Sequence, residues 1–121
     1  MRIVVIIPTY NERETIEELL DLVEAEFLLI KNHEMRVLVV DGNSPDGTAP
    51  AVRERAVKYG NIDLLAEYKK RGLGMAYIAG MRYAIDVLKA DAIMESDGDG
   101  QHDPKDVKKM VLELDNGYDY V

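Results

Sequence analysis

The sequence predicts an α/β domain with a Rossmann-like, mostly parallel sheet and helices on both faces. Three observations predict it. Strand-like and helix-like segments alternate along the whole chain. The strand-like runs are short, continuous and apolar, as in strands covered on both sides. Polar clusters follow the first, second and fourth runs, so a right-handed parallel arrangement gathers them at one edge of the sheet.

The elements follow in order. Ile3 to Ile7 is an apolar, β-branched run, and Pro8 is expected to end it. Asn11 is placed to cap the next helix, with Glu14 three residues later completing a capping box. Ile16, Leu19, Leu20, Val23 and Phe27 then recur at helical spacing. Arg36 to Val40 reads as the second strand, and the turn-rich Asp41 to Asp46 follows it. A helix starting at Asp46 or Thr48 runs to about Tyr59, and Asn61 to Ala66 reads as the third strand. Leu73 to Leu88 is a helix with Tyr77, Met81, Ala84 and Leu88 on its inner side; Gly80 within it costs helix propensity and permits close packing on a sheet. Asp91 to Glu95 is the fourth strand. Pro104 suits the first position of a last helix, whose apolar stripe is Val107, Met110, Val111 and Leu114. Gly117 stops that helix, and Tyr118 to Val121 reads as a strand just beginning, as in a fragment of a longer domain.

Composition narrows the function classes. A chain of 121 residues holds one domain with a true core. Its formal net charge is -8, with 15 Lys and Arg, which argues against a nucleic-acid partner. There is no cysteine, hence neither a disulfide framework nor a thiol nucleophile, and a reducing cytoplasmic setting fits. No stretch reaches the about 18 apolar residues of a membrane span.

In open parallel sheets, ligands bind outside the carboxyl ends of the strands. The loop after the fourth strand, Glu95 to Asp103, is acidic. Asp97 and Asp99 offer hard oxygen ligands suited to magnesium or manganese, and Gly98 and Gly100 allow the bend that brings both to one ion. The same residues also fit a solvated turn that caps the following helix. A helix-loop-helix calcium site matches only in part, since Glu95 and Asp106 stand where Asp and Glu belong. Asp41 ends the second strand, where its carboxylate can accept from a base N–H or a ribose hydroxyl, or can cap the turn. Asp46-Gly47 reads first as a turn pair. Lys69-Lys70-Arg71 before Gly72 and a helix is either an anion site or a solvated basic run. His102 is either a further ligand or a helix-entry residue. The first strand-to-helix turn lacks the glycines of a dinucleotide-binding fold, and no G-x-x-x-x-G-K segment is present. Pro8 and Thr9 stand where an aspartyl phosphatase carries its nucleophile.

Four segments together resemble the family-2 glycosyltransferases of GT-A fold, and among them the dolichol-phosphate or polyprenyl-phosphate mannosyltransferases. They are Val5 to Glu12 (VIIPTYNE), Val40 to Thr48 (VDGNSPDGT), Arg71 to Gly80 (RGLGMAYIAG) and Asp97 to His102 (DGDGQH). The resemblance spans nearly the whole chain. It implies that residues 1–121 are the nucleotide-sugar-binding and metal-binding portion of a GT-A catalytic domain, with the acceptor-side elements after residue 121. It implies that Pro8, Tyr10 and Glu12 lie along the nucleoside and that Asp41 contacts the base. Asp97 and Asp99 then manage the metal and diphosphate as the catalytic pair, Gln101 is a further metal ligand, and Arg71 lies near sugar or phosphate. The implied reaction is inverting transfer of mannose from GDP-mannose to a dolichyl or polyprenyl phosphate, with Mg2+ or Mn2+. A UDP-sugar donor, or a nucleotide-binding fragment without turnover, is the alternative. The lipid acceptor implies a peripheral place at the cytoplasmic face of a membrane. One departure stands out: the family pattern has a second acid after the second strand, and this chain has Gly42.

Overall fold

The computed structural model describes residues 1–42, 44–66, 73–96 and 105–115. The described elements alternate as expected, and the helix stop at Gly117 and the strand expected over Tyr118 to Val121 lie outside the described residues. Strand β1 is Arg2–Thr9, helix α1 Arg13–Phe27, β2 Glu34–Asp41 and α2 Thr48–Tyr59; β3 is Ile62–Ala66, α3 Leu73–Asp86, β4 Ala92–Glu95 and α4 Lys105–Asp115. The four strands form one sheet in the order β3-β2-β1-β4, and every pairing is parallel. The chain builds outward from β1 through β2 to β3, then crosses back to lay β4 on the other side of β1. In open parallel sheets, ligands bind at the carboxyl ends of the strands on either side of such a reversal, which here are β1 and β4.

The alternation of side chains along β1 and β2 divides the core. Ile3, Val5, Ile7, Val37 and Val39 share one cluster with Ile16, Leu20 and Val23 of α1, Val52 of α2 and Val107 and Val111 of α4. Val4, Ile6, Leu38 and Val40 pack on the opposite face against Ala84 of α3, with Tyr77, Met81 and Leu88 beside it. Both faces of the two central strands are therefore dry, which is why they read as unbroken apolar runs. Gly80 explains how closely α3 lies: a Cβ there would stand 2.9 Å from Ile6 Cγ2 and 3.0 Å from Val40 Cγ2.

Two local expectations are corrected. Pro8 does not end β1; it pairs opposite Val40, and Thr9 opposite Asp41. β4 pairs with β1 only as far as Ile6 opposite Glu95, so Pro8 sits beyond the ladder that its missing N–H would interrupt. Asn11 does not cap α1. It takes a left-handed backbone, φ 55, and the N-cap position belongs to Glu12, which makes no side-chain capping bond. The cap comes from another loop.

Candidate functional site

β1 and β2 run side by side to their carboxyl ends and deliver Thr9 and Asp41 as neighbours. Asp41 is 1% exposed. Its Oδ1 accepts from the Thr9 hydroxyl at 2.9 Å and the Ser44 hydroxyl at 2.6 Å, and its Oδ2 accepts from the Ser44 backbone N–H at 3.0 Å. A carboxylate has about four acceptor positions. Among the described residues, Thr9 and Ser44 fill three of them.

The loop that begins with Asp41 also closes the amino end of α1. The Asn11 N–H donates to Ser44 Oγ at 2.8 Å, the Glu12 N–H to Thr48 Oγ1 at 3.1 Å, and the Arg13 N–H to Asp46 Oδ2 at 3.1 Å. Asp46 Oδ1 in turn accepts from both the N–H and the hydroxyl of Thr48. Partial desolvation pushes the Asp46 carboxyl upward. The Thr48 hydroxyl and the backbone N–H groups of Arg13 and Thr48 outweigh it and hold the pKa below the ordinary Asp value. A negative charge at a helix amino terminus is favourable for the same reason a phosphate is. Here the chain supplies that anion itself.

Of the residues singled out in the sequence, the structure gathers Pro8, Tyr10, Glu12 and Asp41 at this edge. Pro8 is buried within β1, Tyr10 is 36% exposed just beyond it, and Glu12 is half-buried at the start of α1. A shallow cleft lined by Asn11, Glu12, Arg13, Thr15 and Asp46 opens beside them. Arg71, Asp97, Asp99, Gln101 and His102 lie outside the described residues. Among the described residues no group of three or more acidic, His or Cys side chains is placed to hold a metal. The approach to the acidic loop is described. Ser96 donates its N–H to the Ile6 carbonyl at 2.9 Å, and its own carbonyl accepts from the Tyr77 hydroxyl at 3.3 Å. The residue before Asp97 is thus fixed to β1 and α3 together. Sequence reasoning missed Thr9, Ser44, Asp46 and Thr48 as site-builders. Their signal was the alternation of side-chain oxygens at 44, 46 and 48, which an ordinary turn does not require.

Comparison with known proteins fits this architecture. Residues 4–121 match the family model for glycosyl transferase family 2. The chain is 39% identical over 115 residues to the undecaprenyl-phosphate mannosyltransferase of Micrococcus luteus, covering 92% of this chain and 43% of that protein. It is 37% identical over 119 residues to the dolichol-phosphate mannosyltransferase of Pyrococcus furiosus, covering 98% and 32% respectively. The chain thus spans less than half the length of these curated relatives. Among solved structures, the mannosyltransferase PcManGT from Pyrobaculum calidifontis, in complex with GDP-Man and Mn2+, superposes with a TM-score of 0.71 at 29% identity, covering 92% of this chain and 31% of that one. S. aureus TarS in complex with UDP, at 24% identity and a TM-score of 0.71, shares the fold. The parallel sheet with helices on both faces is of the GT-A type, and this chain belongs to glycosyl transferase family 2.

Proposed function

We propose that this chain is the donor-binding part of an inverting, metal-dependent mannosyltransferase that moves mannose from GDP-mannose to a polyprenyl phosphate. The observation that carries the reading is the occupied amino end of α1. Its Asn11, Glu12 and Arg13 N–H groups are satisfied by Ser44, Thr48 and Asp46. In a dinucleotide-binding fold that helix end holds the pyrophosphate. Here the diphosphate needs another partner, and the acidic residues that follow β4 in the sequence are the candidates to supply it through a metal ion.

Tyr10 and Glu12 flank the nucleoside in this reading, and the Asp41 carboxylate accepts from a base N–H. Asp97, Asp99 and Gln101 offer oxygen donors of the kind that magnesium and manganese prefer, so the residues present fit such an ion. These side chains would hold a divalent ion whose charge would offset that of the departing diphosphate. Arg71 belongs near the sugar or phosphate. The acceptor phosphate oxygen forms the new bond at the anomeric carbon as the bond to the diphosphate breaks, which inverts that centre. A phosphate monoester has a second pKa of about 6, so near neutral pH it attacks without a general base. The names of the relatives support mannose and the polyprenyl phosphate. The lipid acceptor supports a peripheral place at the cytoplasmic face of a membrane. Among the described residues no helix is long and apolar enough to cross one.

Calorimetric titration with GDP-mannose in the presence of manganese tests the reading. Saturable binding is expected, weakened at least about tenfold by EDTA, as removal of a charge-neutralising ion requires. Tighter binding of UDP-glucose transfers the chain to a different donor. Binding of neither nucleotide sugar sinks the proposal.

A further inference from the structure

The two loops that carry the candidate nucleoside residues are not independent. Tyr10 and Glu12 lie in the β1–α1 turn, and Asp41 opens the β2–α2 loop. Between Tyr10 and Glu12 stands Asn11 at φ 55, a left-handed backbone state that few non-glycine residues adopt and that asparagine tolerates better than most. The turn is tied down by the Asn11 N–H bond to Ser44 Oγ, followed by the bonds from Glu12 and Arg13 to Thr48 and Asp46. Ser44 is doubly employed, because its hydroxyl and N–H both donate to Asp41. Thr48, 0% exposed, is doubly employed as well: it receives the Glu12 N–H and donates its hydroxyl to Asp46. The chain of bonds runs from Asp41 through Ser44 to Asn11, and from Glu12 through Thr48 to Asp46 and back to Arg13. Asp46 is its charged member, and hydrogen bonds to a carboxylate are the stronger kind.

We infer that Asp46, acting through Thr48, is a positioning residue for the nucleoside: it locks both loops in the binding arrangement before the donor arrives. The inference rests on the donor-binding reading given above. Without the lock, the β1–α1 turn is no longer tied to the β2–α2 loop, and Tyr10 and Glu12 lose their fixed place beside Asp41. The competent arrangement becomes a minor population, and apparent affinity falls in proportion.

The test compares Asp46→Asn, Thr48→Val and Thr48→Ser with the parent chain, well below the melting temperature of each, using GDP in the presence of manganese, and manganese alone, as probes. Asparagine keeps one acceptor oxygen but cannot serve both Arg13 and Thr48. Valine keeps the shape of threonine without its hydroxyl, and serine keeps the hydroxyl. Asp46→Asn and Thr48→Val are each expected to raise the GDP dissociation constant about tenfold, the scale of one lost charge-assisted hydrogen bond. Their combination should cost little more than either alone, since both break one linkage. Thr48→Ser should retain affinity, and the manganese dissociation constant should stay unchanged in all three. GDP affinity within about twofold of the parent in the folded Asn and Val variants overturns the positioning role and leaves the donor reading intact. A parallel loss of manganese affinity also overturns it, since that marks general loosening. If Asp46→Asn does not fold, the Val and Ser pair decides. Failure of the parent chain to bind GDP overturns the donor reading and this inference with it.

Discussion

Glu24 is the most exposed weakness at the level of single residues, although it is only 7% accessible. It lies on the inner side of α1, where its Oε1 accepts from Asn61 Nδ2 at 2.9 Å. Its Oε2 and the Oδ1 of Asn61 are both buried with no partner. Burial pushes the Glu24 carboxyl above the ordinary Glu value, and the Asn61 amide only partly opposes it. A glutamine in this place turns two orphan acceptors into a donor and an acceptor, each able to face the other. Leaving a buried polar atom unmade costs about 1–3 kcal/mol. Glu24→Gln is therefore expected to stabilise the chain at neutral pH by about 1 kcal/mol, or roughly 4 °C in melting temperature. Thermal unfolding followed by circular dichroism reads this directly. A lower melting temperature for Glu24→Gln at pH 7 contradicts the account.

Helix α3 shows what a missing side chain does at the level of an element. Its position on the sheet depends on Gly80 meeting Ile6 and Val40. Both of those side chains are buried and β-branched, so neither has another rotamer at low cost. Gly80→Ala gains about 1 kcal/mol of helix propensity but forces an overpacked contact that costs about 1–3 kcal/mol or more. The expected outcome is a net loss of about 1–2 kcal/mol by urea unfolding. Because α3 also brings the Tyr77 hydroxyl to the Ser96 carbonyl, the start of the acidic loop should move with it. A stabilised Gly80→Ala would show that α3 has room to shift. The inner side of this helix was legible in the sequence, since Tyr77, Met81 and Ala84 do pack toward the sheet, although the helix ends at Asp86 and Leu88 packs there from just beyond it. So were the four described strands, to within two residues at each end, the central pair because burial on both faces leaves an unbroken apolar run. The cap of α1 was not legible. Asn11 and Glu14 satisfy a local capping pattern, but the bonds that close the helix come from Ser44, Asp46 and Thr48, more than thirty positions later. Local spacing carries no information about a partner supplied by the neighbouring strand's loop. For the same reason Asp41 was recognisable as a strand-end acid, while the three donors that already occupy it were not.

The charge balance of the whole molecule sets its response to pH, and the separate contributions do not all have the same sign. Formal net charge is -8 at pH 7 and the isoelectric point is near 4.7, so acidification from neutral pH first relieves self-repulsion. Glu24 acts in the same direction. Its folded pKa is raised, so its contribution is fully present below the unfolded value of about 4.3 and is lost as pH rises through the folded value. Asp21, Glu34 and Asp46 act the other way. Asp21 is held low first by the Tyr59 hydroxyl, with Arg55 beside it, and Glu34 first by its hydrogen bond from Arg2. Asp46 is held low by the Thr48 hydroxyl and the backbone N–H groups, against partial desolvation. Their contributions are present above the unfolded carboxyl values of about 4 and vanish as pH falls through the still lower folded ones. These three are largely solvated, so each is screened and individually small. The two sets meet in mildly acidic solution. Melting temperature is therefore expected to rise as pH drops from 8 to about 5, and to fall steeply below about 4. Added salt should raise it at pH 8, where repulsion is greatest, and do little near the isoelectric point. Glu24→Gln should flatten the neutral limb without touching the acid one. A melting temperature that peaks at pH 7 to 8 in low salt would mean that the paired carboxylates outweigh both Glu24 and the net charge.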